Sequence, residues 1–156
     1  MKLSRKVLIR VIAVAICVLA WMAIFTAERV AWEPYDAARI ELARAEGKAV
    51  LIKFTAGWCT NCEFVDKVVY QRRDISRLIE EKGVVAIKAD TSEEQMPATA
   101  ALKNLYNEAV PVTILYLPGR SEPERFSGEI FFAKELKEVL EGLASKRDDD
   151  GEEKGK

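Results

Sequence analysis

Residues 48–64, KAVLIKFTAGWCTNCEF, constrain the fold more than any other stretch of the chain. They open on a compact apolar run with β-branched members, the pattern of a strand buried on both faces. Two thiols, Cys59 and Cys62, follow almost at once. From Thr60 to about Glu81 the apolar residues Phe64, Val65, Val68, Val69, Ile75, Leu78 and Ile79 recur at helical spacing, with QRRD (71–74) marking a break or bend. A buried strand therefore passes into a helix through a C-x-x-C pair, and the helix begins where the first cysteine stands.

Three roles for such a pair can be weighed on residue chemistry. A structural zinc site needs four ligands, and the chain has three cysteines and no histidine, so zinc would require carboxylates or a second chain. A purely structural disulfide between thiols this close closes a very small loop and constrains the unfolded chain little. Thiol–disulfide exchange fits better. The free N–H groups and dipole at a helix N-terminus favour a thiolate at Cys59. Thiols so placed have pKa values of about 3.5–7.5, against about 8.5 for free cysteine. Cys62 lies one turn on, in phase with Val65 and Val69, and is expected to be the more buried, resolving thiol. One exposed nucleophile and one resolving thiol suffice, so neither an organic cofactor nor a metal is expected.

The remaining elements follow in order. Residues 33–47 read as a short amphipathic helix with Pro34 at its start and Gly47 at its end. GVVAIKAD (83–90) is a second strand. Residues 90–107 are a loop and then a helix, with Thr91 and Glu94 as a capping box and Pro97 in the first turn. VPVTILYL (110–117) is a third strand, PGRSEP (118–123) a turn, and ERFSG (124–128) an edge strand. FFAKELKEVLEGL (131–143) closes the domain as a helix with Phe132, Leu136, Val139, Leu140 and Leu143 inward. Alternating strands and helices imply an α/β fold with a parallel central sheet, and the late short strand should pair antiparallel, making the sheet mixed.

Two segments flank this domain, which is expected to span residues 33–144. Residues 1–32 begin with the basic residues Lys2, Arg5, Lys6 and Arg10 and continue as an uncharged run from Val11 to Ala27. The run is short for a membrane span, but Val7, Leu8 and Ile9 lengthen it if Arg10 snorkels. Trp21 and Trp32 lie toward its far end, where aromatic rings favour the interface, and the basic flank places residues 33–156 outside the cytoplasm. Cleavage as a signal peptide competes with this reading, but Phe25 or Arg29 would occupy the third-last position of the available sites, and both suit it poorly. A single uncleaved N-terminal transmembrane anchor is favoured, with Cys17 a small apolar residue inside it. At the other end, residues 145–156 form a charged tail expected to be solvated and disordered. A formal net charge of -1 implies no broad basic surface for nucleic acid.

FTAGWCTNC, KADTSEEQ and VPVTILY occur in the order of the thioredoxin family, which the chain resembles over roughly residues 35–143. Their details most resemble the C-terminal thioredoxin-like domain of the transmembrane thiol:disulfide interchange protein DsbD. The resemblance implies a thioredoxin-like fold, with Cys59 as nucleophile, Cys62 as resolving thiol and Trp58 as a shared neighbour. It also implies that Val110–Pro111 forms the loop carrying a cis-proline, where the Val110 backbone could hold a substrate strand by main-chain hydrogen bonds. Without the resemblance, Pro111 reads equally well as a strand-opening proline.

Two positions near the site are acidic in the DsbD domain. Asp66 matches one of them. Lys53 occupies the other, a departure from the family. A charged amine at Lys53 would favour a Cys62 thiolate, and a desolvated neutral amine could accept its proton. Alternatively the long stem lets the ammonium reach solvent. Asp66 reads either as a site residue or as a solvated helix-surface acid.

The dipeptide Thr60–Asn61 lacks the histidine of the strong oxidant DsbA, which favours a reducing or electron-relaying role. The expected function is a membrane-anchored, extracytoplasmic protein-disulfide reductase of bacterial type, in the inner membrane and facing the periplasm. Its expected partners are disulfide-bearing exported proteins and a separate integral membrane electron donor. A thiol oxidase or isomerase, and a non-catalytic thioredoxin-like binding module, are the alternatives.

Overall fold

The computed structural model describes residues 9–18, 29–127 and 132–143. Residues 9–18 are helical and exposed, and among the described residues no helix is long and apolar enough to cross a membrane. The rest of the expected span, including Trp21, lies outside the described residues, as does the tail from 144 onward.

Packing begins ahead of residue 33. Val30 is buried in the core, and Trp32 packs edge-on against Tyr70 with ring centroids 5.0 Å apart. Trp32, expected at a membrane interface, is part of the folded domain instead.

Pro34 does not start a helix. Glu33–Pro34 form a short edge strand, β1, parallel to the later strand β3 (Val85–Asp90). An edge position tolerates proline because its missing N–H leaves no central ladder bond unmade. The first domain helix, α1, spans Ala37–Ala45. Asp36 caps it, its carboxylate accepting from the Ala38 and Arg39 N–H groups at 2.9 and 3.4 Å. Arg39 then reaches back to the Glu33 carboxylate at 2.8 and 3.1 Å, tying α1 to β1. Gly47, at φ 71, terminates the helix in the left-handed region that favours glycine. Replacing Asp36 by alanine is expected to cost about 1 kcal/mol, seen as a lower urea midpoint at unchanged slope.

Strand β2 (Val50–Thr55) leads into α2 (Thr60–Val65), which continues as a π-helical turn over Asp66–Tyr70. The expected break falls at Gln71 and Arg72, after which α3 spans Arg73–Glu81. Beyond β3 come α4 (Pro97–Ala101), a second π-helical turn at Leu102–Tyr106, β4 (Val112–Tyr116), β5 (Glu124–Ser127) and α5 (Ala133–Glu141). Pro97 does open α4, but the capping box does not form. Thr91 Oγ1 donates to the Thr55 carbonyl, Glu94 pairs with Lys103, and Met96 takes the cap position with no side-chain bond.

The five strands order as β1-β3-β2-β4-β5. β2 and β3 are parallel, and β5 is antiparallel to β4 as expected. β4, however, runs antiparallel to β2. Phe54 pairs with Val112 while Thr55 pairs with Asp90, so the chain leaves β3 and enters β4 at the same end of the sheet. A short helical connection that returns to its starting end reverses the strand, and the strand–helix alternation does not encode that return.

Period-two alternation divides the core. Val50, Ile52 and Phe54 face a cluster with Ile40 and Ala43 of α1 and Ala98 of α4. Leu51 faces the opposite cluster with Ile75 and Ile79 of α3 and Leu136 and Leu140 of α5. Lys53 shares the parity of Leu51, and Thr113 on β4 that of Leu115. Both therefore point to the side from which α2 descends.

Candidate active site

Cys59 is the cap residue of α2, with an extended backbone (φ -94, ψ 94). Its Sγ accepts the Cys62 N–H at 3.2 Å, and the two sulfurs form a disulfide with S–S 2.04 Å and Cα–Cα 5.3 Å. In the disulfide state both cysteines are buried, Cys59 at 8% exposure rather than openly exposed and Cys62 at 4%, so Cys62 is the more buried as expected. Ala56 and Val110 pack against the pair, and the Val110–Pro111 bond is cis.

Trp58 is the most exposed aromatic beside the site, at 69%. Its Nε1 donates to the Ser92 carbonyl at 3.3 Å, and the Gly57 N–H donates to Ser92 Oγ at 2.7 Å. Ser92 is fixed in turn by Asp90, whose carboxylate accepts from its N–H at 2.8 Å and its hydroxyl at 2.5 Å. The Ser92 hydroxyl, followed by its backbone N–H, holds the Asp90 carboxyl below the usual range. Ser92 and Asp90 were not singled out in the sequence. Their signal was the motif KADTSEEQ, in which Asp90 ends strand β3 and Ser92 follows in the loop.

Beneath the disulfide the structure brings Lys53 and Asp66 together. Lys53 Nζ lies 2.6 Å from Asp66 Oδ1, with Lys53 only 3% exposed and the Asp66 side chain 26%. The Lys53 ammonium does not reach solvent. It stands 4.2 Å from the Trp32 ring centroid and 5.2 Å from that of Tyr70. Cation–π attraction and the ion pair together offset desolvation of a buried charge. Tyr70 donates to or accepts from Thr113 Oγ1, and burial pushes its phenol pKa far up. A cavity of about 10 Å³ lies among Lys53, Cys62, Asp66, Tyr70, Pro111 and Thr113. Trp32, Tyr70 and Thr113 escaped the sequence reading of the site, since none carries a redox signature. Among the described residues no group of three or more His, Cys, Asp or Glu side chains is placed to hold a metal ion.

The sheet order, the helix rising from β2 and the cysteine pair at its head define a thioredoxin-fold protein with a disulfide-forming C-x-x-C site. The thioredoxin-like family model matches residues 31–118, more than half of the sequence, and the chain belongs to that family. It is similar to the thiol:disulfide interchange protein DsbD of Klebsiella pneumoniae, 30% identical over 86 residues. It is also similar to DsbD 2 of Pseudomonas aeruginosa, 25% identical over 95 residues. These matches cover 54% and 59% of this chain but only 14% and 16% of the relatives, so the chain corresponds to a small part of each. The resemblance read from the motifs is borne out.

Among solved structures, a thioredoxin from Thermus thermophilus matches with a TM-score of 0.54 at 24% identity, covering 70% of this chain and 88% of that one. Trxlp from Edwardsiella tarda matches with a TM-score of 0.52 at 25% identity, covering 70% and 98%.

Proposed function

We propose that this chain is a membrane-anchored, extracytoplasmic thiol–disulfide oxidoreductase that reduces, or relays electrons to, disulfides in exported proteins. The observation that carries the reading is the Cys59–Cys62 disulfide at the start of a helix that runs on into a π-helical turn, with Cys59 the less buried residue of the two. The Cys62 N–H already donates to the Cys59 sulfur, a contact that favours a thiolate there once the bond is reduced.

In the forward direction the Cys59 thiolate attacks one sulfur of a client disulfide. The client's other sulfur leaves as a thiolate and takes a proton from solvent. Cys62 then loses its proton and attacks Cys59. The client's second thiol is released, and the Cys59–Cys62 disulfide remains. Two electrons have passed from this pair to the client, and a dithiol donor must return them. The chemistry needs only these sulfurs, with no organic cofactor or metal. A separate integral membrane protein is the proposed donor, because the client and the site lie outside the cytoplasm in this reading. The uncharged run from Val11 to Ala27, behind its basic flank, supports the anchor.

Trp58 and the Val110 backbone border the cysteines and form the proposed platform for the client strand. Equilibration against glutathione tests the direction of flow. A reduction potential toward the thioredoxin end of the range, about −270 mV, is expected. A value near about −120 mV would replace the reductase reading with that of an oxidase.

A further inference from the structure

Burial works against Cys62 as a nucleophile. At 4% exposure, packed with Ala56 and Val110, Cys62 is shut away from the water that would stabilise a thiolate. A positive charge within the protein would offset that loss and favour resolution of a mixed disulfide at neutral pH. The structure contains one. Lys53 and Cys62 line the same cavity of about 10 Å³, at the lower limit of room for a single water.

We propose that the Lys53–Asp66 pair readies the resolving thiol: Asp66 keeps the Lys53 ammonium charged in the interior, and the ammonium holds the Cys62 sulfur as a thiolate for its attack on Cys59. Both are positioning residues for Cys62. The inference rests on the oxidoreductase reading above and specifies how its second half-reaction is served. In that step the Cys62 thiol releases its proton to water. Its electron pair forms the Cys59–Cys62 bond, and the Cys59–client bond breaks with its electrons on the client sulfur. Cys62 is oxidised, and the client sulfur is reduced and protonated from solvent.

Several features make the pair suited to this task. Trp32 and Tyr70 flank the ammonium with their rings, at 4.2 and 5.2 Å from the ring centroids. Asp66 is partly exposed, so its carboxylate is only partly desolvated, and it anchors the buried cation at 2.6 Å. Among the described residues, the other charged or titratable groups placed around the pocket include Tyr70, neutral at ordinary pH, and two cations. Lys88 is the register neighbour of Lys53 on β3, and Arg29 borders a second small cavity with Lys53 and Asp66. Glu63 follows Cys62 directly but is exposed to water. Lys88 is half-buried and Arg29 is exposed, so the buried charge that lines the cavity with Cys62 is the Lys53 ammonium.

The test is an NMR pH titration of both cysteines in the reduced full-length chain in detergent, with carbon-labelled cysteine. Lys53→Met should raise the Cys62 midpoint by about 1–3 pH units, as expected for loss of a nearby opposite charge. Asp66→Asn should also raise it, because a buried ammonium without its carboxylate gives up its proton. The double variant should shift no further than the larger single, since each change disables the same device. Lys53→Arg, which keeps the cation, should restore the wild-type midpoint. An unchanged Cys62 midpoint in folded Lys53→Met overturns the proposal, as does a double shift equal to the sum of the singles. If Lys53→Met does not fold, Asp66→Asn decides by the same criterion. A wild-type chain that reduces no protein disulfide would overturn the functional reading itself. An unmoved Cys62 in a chain that still reduces them overturns only this inference.

Discussion

A Cys62→Ser variant is expected to accumulate covalent complexes with its client proteins, while Cys59→Ser accumulates none and reduces disulfides no faster than the buffer reductant alone. The asymmetry follows from the geometry. Cys59 caps the helix and is the less buried of the two residues, so it makes the first bond to the client. Cys62 is one turn further in and closes the cycle by attacking Cys59. Removing Cys62 leaves the first attack intact and blocks release, which turns a transient mixed disulfide into a stable one. Removing Cys59 takes away the nucleophile, and serine does not replace it because its hydroxyl does not ionise at neutral pH. Acid-quenched samples resolved without reductant and identified by mass spectrometry give the readout. Complexes formed equally by both variants would show that the two thiols have no ordered roles. If neither variant lost the chain's cellular function, the non-catalytic binding module would replace the enzyme reading.

The cysteine pair was legible because two periodicities meet there. The run ending at Phe54 has the continuous apolarity of a doubly covered strand, and Phe64, Val65, Val68 and Val69 resume at helical spacing. The closing helix was legible for the same reason, and Phe132, Leu136 and Leu140 are buried as expected. Lys53 and Asp66 were each visible as candidate site residues, but their pairing was not. Asp66 lies thirteen residues away on the next element, and their contact depends on how the helix crosses the sheet. Parity along β2 showed which side Lys53 would face only once that helix was placed.

Trp32 illustrates a second kind of limit. An indole beside an apolar run satisfies either a membrane interface or a domain core, because its apolar body and polar tip suit both. Only the packing against Tyr70 and Lys53 separates the two. The capping box failed on similar grounds. Thr91 is followed by an acid at the right spacing, yet its hydroxyl is drawn to the Thr55 carbonyl on the neighbouring strand. A tertiary acceptor outcompeted the local one, and α4 starts later, at Pro97. Strand direction in β4 escaped because amphipathic pattern records which face a residue takes and not the end from which the chain enters.

Phe54→Ala is expected to be among the most damaging single changes to the fold, costing about 3–5 kcal/mol. Phe54 is fully buried on the central strand, with Ala89 and Val112 as its register neighbours. Its ring meets Tyr106 edge-on at 5.4 Å and Tyr35 at 6.3 Å, so alanine leaves a void bordered by rigid rings that cannot readily collapse into it. A domain of this size has a total stability of about 5–15 kcal/mol, so the loss is a large fraction of it. The urea midpoint should fall with its slope unchanged. Leu105, exposed on the second π-helical turn, supplies the contrast: Leu105→Ala should change stability by no more than about 0.5 kcal/mol. Phe54 faces away from the Lys53 side of the sheet, so the fraction of Phe54→Ala that remains folded should keep its thiol chemistry. Loss of stability without loss of per-molecule reactivity would separate the core under α1 and α4 from the one that serves the cysteines. Equal costs for Phe54→Ala and Leu105→Ala would show that this core does not carry the fold.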